Sequence, residues 1–597
     1  MRSSTTARGV LAGLVGLSAF AVAGTIAATT AGAVAADCAV PADIATLTRG
    51  QELTGLTVAP SLDDPSADGV TPTAFDGTVI GVAQDAIAPG YDLVMVEIHS
   101  DEIDRVGGIW AGMSGSPMYT AAGDLVGATA WTLTSGTSHV VGVTPYSQMD
   151  DYLPTSSPRA TVRSPALARR IADAAGVSEA KAASGFTPIF DGSQVSGVTP
   201  AAMRRFKKAG LPYVQGQKVA HAGMVGGRGQ ARADVADIVP GGNLGAFYSY
   251  GDIPFGGIGT VTDVCAGQVV GFGHTMDLFG DTNGYLMAAD ALYIQDSGFD
   301  SPFKVANLGD VVGTLNQDHL RMIGGTLGEL PSEGVVSNSS TYTTSGGHLR
   351  SRSGETHVAT PVVVADIFAS TVLYQMYYNM VEVADYEGGG SVDLEWTIEG
   401  TDAGIPFTLS SSDLFTSDYY SFEEPAYEPA DLTYALGSIP GVDITGVDST
   451  TELSTGTTTY RVKQVQWKKG SAWVTATRKH PIVAKPGSVA LRVGLTASDG
   501  STAKVAMSLS VPKTAAGRSG SVHLSGGGSI WTNFYRVDSV AEARRVVDSI
   551  VPNAAVQAQG VLYADGSRAA KPVKVSAISR TGDHVINGGA TISIVVK

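Results

Sequence analysis

The chain has 597 residues, 43% of them hydrophobic, which is enough for several buried cores and about two to four domains. A formal net charge of −17 excludes nucleic acid as an expected partner, because phosphate binding needs basic stripes. The 74 glycines, with abundant Val and Thr, read as many short strands and tight turns, so a mainly β protein is expected.

Residues 1–35 have the form of a secretion signal. Arg2 and Arg8 precede a small, apolar run from Gly9 to Ala28, and Ala33-Val34-Ala35 offers a small-x-small cleavage site. No later run reaches the roughly 18 to 20 apolar residues needed to span a bilayer, so the mature chain is expected to be exported without a transmembrane anchor. The two cysteines, Cys38 and Cys265, both survive cleavage. In an oxidising compartment they are a candidate disulfide, the alternative being two unpaired thiols. Neither has a ligand-like spacing, so no metal and no cofactor are expected.

From Leu47 to Leu153 the pattern is β, with strands at Thr78–Val82, Asp92–Ile98, Leu125–Trp131 and His139–Thr144. Two helices follow. Ser164-Pro165 opens the first and Thr199-Pro200 the second, which stops at Gly210-Leu211-Pro212. The basic run Arg204 to Lys208 reads as a solvated helix face. The β pattern resumes from Val214 to Val336. The apolar run Pro361 to Tyr378 has helical length but is rich in β-branched residues, and its type stays open. Beyond Gly388-Gly389-Gly390, alternating strands such as Val392–Ile398, Thr459–Gln466 and Thr591–Val596 read as one or two β-sandwich-like domains. One amphipathic helix, Ser539 to Ile550, interrupts them.

Chemistry is concentrated in Gly107-Gly108-Ile109-Trp110-Ala111-Gly112-Met113-Ser114-Gly115-Ser116-Pro117. Glycines on both sides of Ser114 allow a sharp turn that presents a hydroxyl and backbone N–H groups together. A serine hydroxyl needs a general base to attack an amide. Of the 10 histidines, His274 stands out, because it ends the apolar strand Gly271-Phe272-Gly273-His274 among small neighbours. His221 ranks second. His139, His319, His348, His357, His480, His523 and His584 sit in polar contexts and read as surface residues.

The serine block, with Leu125-Val126-Gly127-Ala128 after it, closely resembles the SpoIVB-type serine peptidases. The segment from Gly257-Ile258-Gly259-Thr260 to His274 is similar to the part of that family that carries the catalytic histidine, and the likeness extends over Leu47 to Val336. It implies a trypsin-like double β-barrel, with Ser114 as nucleophile, His274 as base, and the N–H groups of Gly112 and Ser114 as the oxyanion hole. The order is permuted, since in the family the histidine block comes first. Where the family has its acidic partner this chain has His99, which leaves Asp101, with Asp92 as the other candidate, or a Ser–His dyad. Met113 lacks the carboxylate that would pair with a newly cut N-terminus, so activation by N-terminal insertion is not expected.

The expected organisation is a signal peptide (1–35), a serine-bearing barrel half (36–160), a helical linker (161–213), a histidine-bearing barrel half (214–340) and a β-rich accessory region (341–597). The expected activity is that of an exported serine endopeptidase, secreted or at the cell envelope. Its partner would be a protein or peptide substrate, with envelope contact through the C-terminal region. The alternative is a non-catalytic secreted or envelope binding protein that kept the fold.

Overall fold

A computed structural model describes residues 38–597, apart from 61–67, 134–136, 150–164, 184–185, 190–191, 220–223, 226–232, 297–300, 362–363, 420–421 and 565–570. The expected signal peptide, Ser164 and His221 lie outside the described residues. The protein is mainly β. Its first barrel is built from β1 (Glu52–Thr57), β2 (Thr73–Ala88), β3 (Tyr91–His99), β4 (Pro117–Thr120), β5 (Leu125–Leu133) and β6 (Val140–Pro145), with helix α1 (Asp101–Val106) after β3. Around the ring the neighbours run β1, β2, β3, β6, β5, β4 and back to β1, every pair antiparallel. Alternating apolar side chains, among them Val79, Val94, Val96, Met118, Val126 and Val141, fill one core. A second face, with Ile80, Leu93 and Trp131, is covered by Leu167, Ala168 and Ile171 of the helix Pro165–Ala175. That helix, expected as part of a linker, therefore belongs to the first barrel's packing.

The second barrel comprises β7 (Asn243–Gly251), β8 (Phe255–Cys265), β9 (Gln268–Gly271), β10 (Gly280–Gln295), β11 (Phe303–His319) and β12 (Met322–Leu327). Its antiparallel ring runs β7, β8, β9, β12, β11, β10 and back to β7. Counted from its own first strand, each barrel thus has the same neighbour order. Closure removes the unpaired edges that open sheets must protect.

The N-terminal segment joins the two barrels. Cys38 is disulfide-bonded to Cys265 at the end of β8. A few residues on, Ala42 N donates to Leu125 O of the first barrel at 2.8 Å. Tyr146 in turn donates to Asp263 of β8 at 2.7 Å.

The sheet of the second barrel does not end there. Leu349–Thr360 pairs with β7 and continues into strands Ser332–Thr343, Val442–Ser454, Gly390–Asp402 and Ile405–Ser417. Against this extension pack the helices Ala365–Ala384 and Glu424–Gly437. The ambiguous run is therefore helical from Ala365 onward. Its β-branched and aromatic residues are buried on nearly every side, so it lacks an amphipathic stripe. Strands 390–454, expected in a sandwich, belong instead to this two-layer α/β unit. The sandwich begins at Tyr460 and pairs two sheets over a separate core that includes Leu491, Val493, Leu524 and Ile594. Helix Pro200–Ala209 carries Phe206 into the α/β core, and Arg205, expected on a solvated face, turns inward to pair with Glu387 and Glu423. Among the described residues, no helix is long and apolar enough to cross a membrane.

Candidate active site

Ser114 lies in the connection between the third and fourth strands of the first barrel, and His274 in the corresponding connection of the second. The two meet at the interface. Ser114 Oγ is 2.9 Å from His274 Nε2, across 160 positions of sequence. Both residues are 0% exposed.

The serine loop is held from the opposite barrel. Thr260 N donates to Ser114 O at 2.7 Å, Thr260 Oγ1 to Gly112 O at 3.0 Å, and Thr262 Oγ1 to Gly115 O at 2.8 Å. These threonines come from β8, so the first barrel's serine turn is fastened to the second. Gly115 has φ +100°, and a Cβ there would lie 1.9 Å from Thr260 O, so only glycine allows this approach. The histidine loop is held in the reverse sense. Thr144 Oγ1 of β6 donates to Gly273 O at 2.6 Å and accepts from Trp131 Nε1 at 2.9 Å. The Trp131 ring meets the His274 ring edge-on, with centroids 6.4 Å apart.

Within the turn, Met113 N donates to Trp110 O, Gly115 N to Thr129 O, and Ser116 N to Met113 O. No acceptor among the described residues takes the N–H of Gly112 or of Ser114. These are the two groups expected to face an oxyanion.

The acidic partner is not where the sequence reading put it. Asp101 is exposed on the first turn of α1, where Ser100 caps the helix through Ile103 N at 3.2 Å. Asp92 accepts from Asp85 N at 2.9 Å and belongs to a local turn. His274 Nδ1 instead lies 2.7 Å from the carbonyl oxygen of Thr275. A carbonyl accepts only from an N–H, which fixes the tautomer with the proton on Nδ1 and leaves the Nε2 lone pair for the serine. A helical turn carries Asp101 to the surface, while the histidine's own following peptide occupies the place of a carboxylate.

Sequence reasoning missed Asp318. This fully buried carboxylate accepts from Thr275 Oγ1 (2.6 Å), Met276 N (2.7 Å), Asp277 N (2.7 Å) and Phe279 N (3.3 Å). It shapes the loop whose Thr275 carbonyl meets His274 Nδ1. A polar residue near the end of a long strand gives no sequence signal for that role. Beside the same loop lies a recess of about 460 Å³ lined by Ser193, Phe255, Thr275, Met276 and Asp277 among others. Burial pushes the Asp277 carboxyl up to about 6.

Lys304 lies behind the turn. Its backbone N–H donates to Ala111 O at 2.9 Å, and its buried amino group donates to the neutral amide oxygen of Asn243 at 2.7 Å. Burial lowers the amine to about 7 from 10.5. Between those values the unfolded chain holds a proton that the native chain lacks, so stability rises with pH across the window. Urea unfolding at pH 7.5 and 9.5 is expected to show a gain of up to about 1.4 kcal/mol per pH unit. Lys304→Met should abolish it; an equal rise in that variant would contradict the assignment.

No family model, no curated protein and no solved structure matches the chain.

Proposed function

We propose that the protein is a serine endopeptidase of SpoIVB type that works through an acyl-enzyme. The observation carrying this reading is the 2.9 Å contact between Ser114 Oγ and His274 Nε2, made by loops from two barrels. In the proposed reaction His274 takes the serine proton as Oγ attacks a peptide carbonyl. The carbonyl's developing negative charge falls to the N–H groups of Gly112 and Ser114, each donor contributing about 3 to 4 kcal/mol to barrier lowering. The imidazolium then protonates the leaving amine, and water hydrolyses the ester by the reverse route. The Thr275 carbonyl holds the ring orientation, as a triad carboxylate would, but without a full negative charge.

Substrate would be a protein or peptide, with a segment lying in the recess beside the histidine loop and a narrow range or self-processing as the expected specificity. Export by the N-terminal signal, and contact of the C-terminal sandwich with substrate or envelope, belong to the same proposal.

Complete burial of Ser114 and His274 favours a second reading, a binding protein that keeps the double barrel without turnover. A compact fluorophosphonate separates the two. The peptidase reading expects one label per chain, mapped to Ser114 and absent from Ser114→Ala. A folded wild-type chain that stays unlabelled over hours supports the binding protein.

A further inference from the structure

Away from the serine and histidine loops, three side chains of the first barrel converge on one point. His99 closes β3, His139 immediately precedes β6, and Ile98 N donates to His139 O at 2.9 Å, so strand pairing places the two imidazoles side by side. Their rings stack with centroids 4.9 Å apart. Asp104, on α1, completes the group: its Oδ1 lies 2.9 Å from His99 Nδ1 and 3.0 Å from His139 Nε2. One ligand atom from each residue lies within 4.8 Å of the others.

We infer that His99, Asp104 and His139 form a binding site for a borderline divalent transition-metal ion, with Zn²⁺ as the reference ion. Two imidazole nitrogens and one carboxylate oxygen are a donor set that suits zinc and its neighbours and not the oxygen-seeking Mg²⁺ or Ca²⁺. Metal–ligand bonds of about 2.0 to 2.2 Å in a tetrahedron put ligand atoms about 3.3 to 3.6 Å apart, so the two Asp104 spacings need to open by only about half an ångström, while the two imidazole nitrogens already lie within 4.8 Å of each other. The other nitrogen of His99, Nε2, faces Glu97 Oε1 at 3.6 Å. A carboxylate behind a ligating imidazole orients the ring and raises its basicity. The side chains of His99 and Asp104 are about half exposed, at 51% and 54%, which leaves the fourth position to water.

Such an ion would link β3, β6 and α1, the helix that leads into Gly107 and the serine turn. Nothing in the assignment depends on the serine chemistry.

The test uses the untagged full chain, stripped with a chelator and titrated with ZnCl₂ by calorimetry. One ion per chain is expected, with affinity reduced at least tenfold in His99→Ala, His139→Ala and Asp104→Asn, and unchanged in the surface variant His348→Ala. A wild-type chain that takes up no zinc overturns the site, as does a His99→Ala/His139→Ala double variant that binds as wild type does. Co²⁺ gives a readout independent of any variant. Intense visible bands of a four- or five-coordinate ion support the site, whereas the weak spectrum of six-coordinate aqueous Co²⁺ overturns it.

Discussion

His274→Ala is expected to slow fluorophosphonate labelling of Ser114 by about 10⁴-fold or more in a variant that still unfolds cooperatively, at a temperature lowered by the loss of a fully buried ring. The size follows from removal of the general base, a change that in serine peptidases costs nearly as much as loss of the nucleophile. Without an acceptor at 2.9 Å, the hydroxyl must lose its proton to water, and the N–H groups of Gly112 and Ser114 have no nucleophile to assist. Asp101→Asn supplies the contrast. An exposed carboxylate on α1 does not set the imidazole's orientation, so this variant should label within about twofold of wild type. Rates measured by intact-mass spectrometry over time decide the matter. Labelling of His274→Ala within tenfold of wild type would remove the histidine from the mechanism.

Gly115→Ala is expected to cost at least about 3 kcal/mol of stability, or to prevent folding outright. The added Cβ would lie 1.9 Å from Thr260 O and 2.6 Å from Phe272 N, both backbone atoms of the opposite barrel. Backbone cannot rotate aside as a long side chain can, so the two barrels must part or the turn must unwind. Gly123→Ala isolates the conformational part of the effect. Its φ is +90°, yet nothing lies within 4 Å of a Cβ there, so only about 1 kcal/mol of strain is expected. Urea midpoints for the two variants check the difference. If both lost the same amount, close approach between barrels would not be the reason for glycine at 115.

How far the sequence led depends on whether the signal was local. The turn around Ser114 announces itself because glycine, serine and proline constrain backbone over a few residues, and His274 follows from its small neighbour Gly273, which lies against Ala128 and Ala130. Residues that act through distant pairing left no such trace. Asp318 meets its loop only when β11 folds back past residues 275–279, and His99 finds His139 only through strand register. Helix Glu424–Gly437 carries Pro429 in its interior, a residue type that locally argues against a helix, yet its apolar side packs into the α/β core. The strands at 390–454 alternate as sandwich strands do. Their assignment to a different sheet rests on the parallel pairing of Val335 with Gly446 and its neighbours, a contact that period alone does not encode.

The mutual fastening of the two loops makes assembly of the barrels a precondition for the Ser114–His274 contact. Thr260 and Thr262 hold a turn that they do not belong to, and Thr144 does the same in return. Neither lobe carries both Ser114 and His274, and a cut that let the lobes drift apart would part the pair. Each lobe contributes the same connection of the same strand plan, the one that follows its third strand.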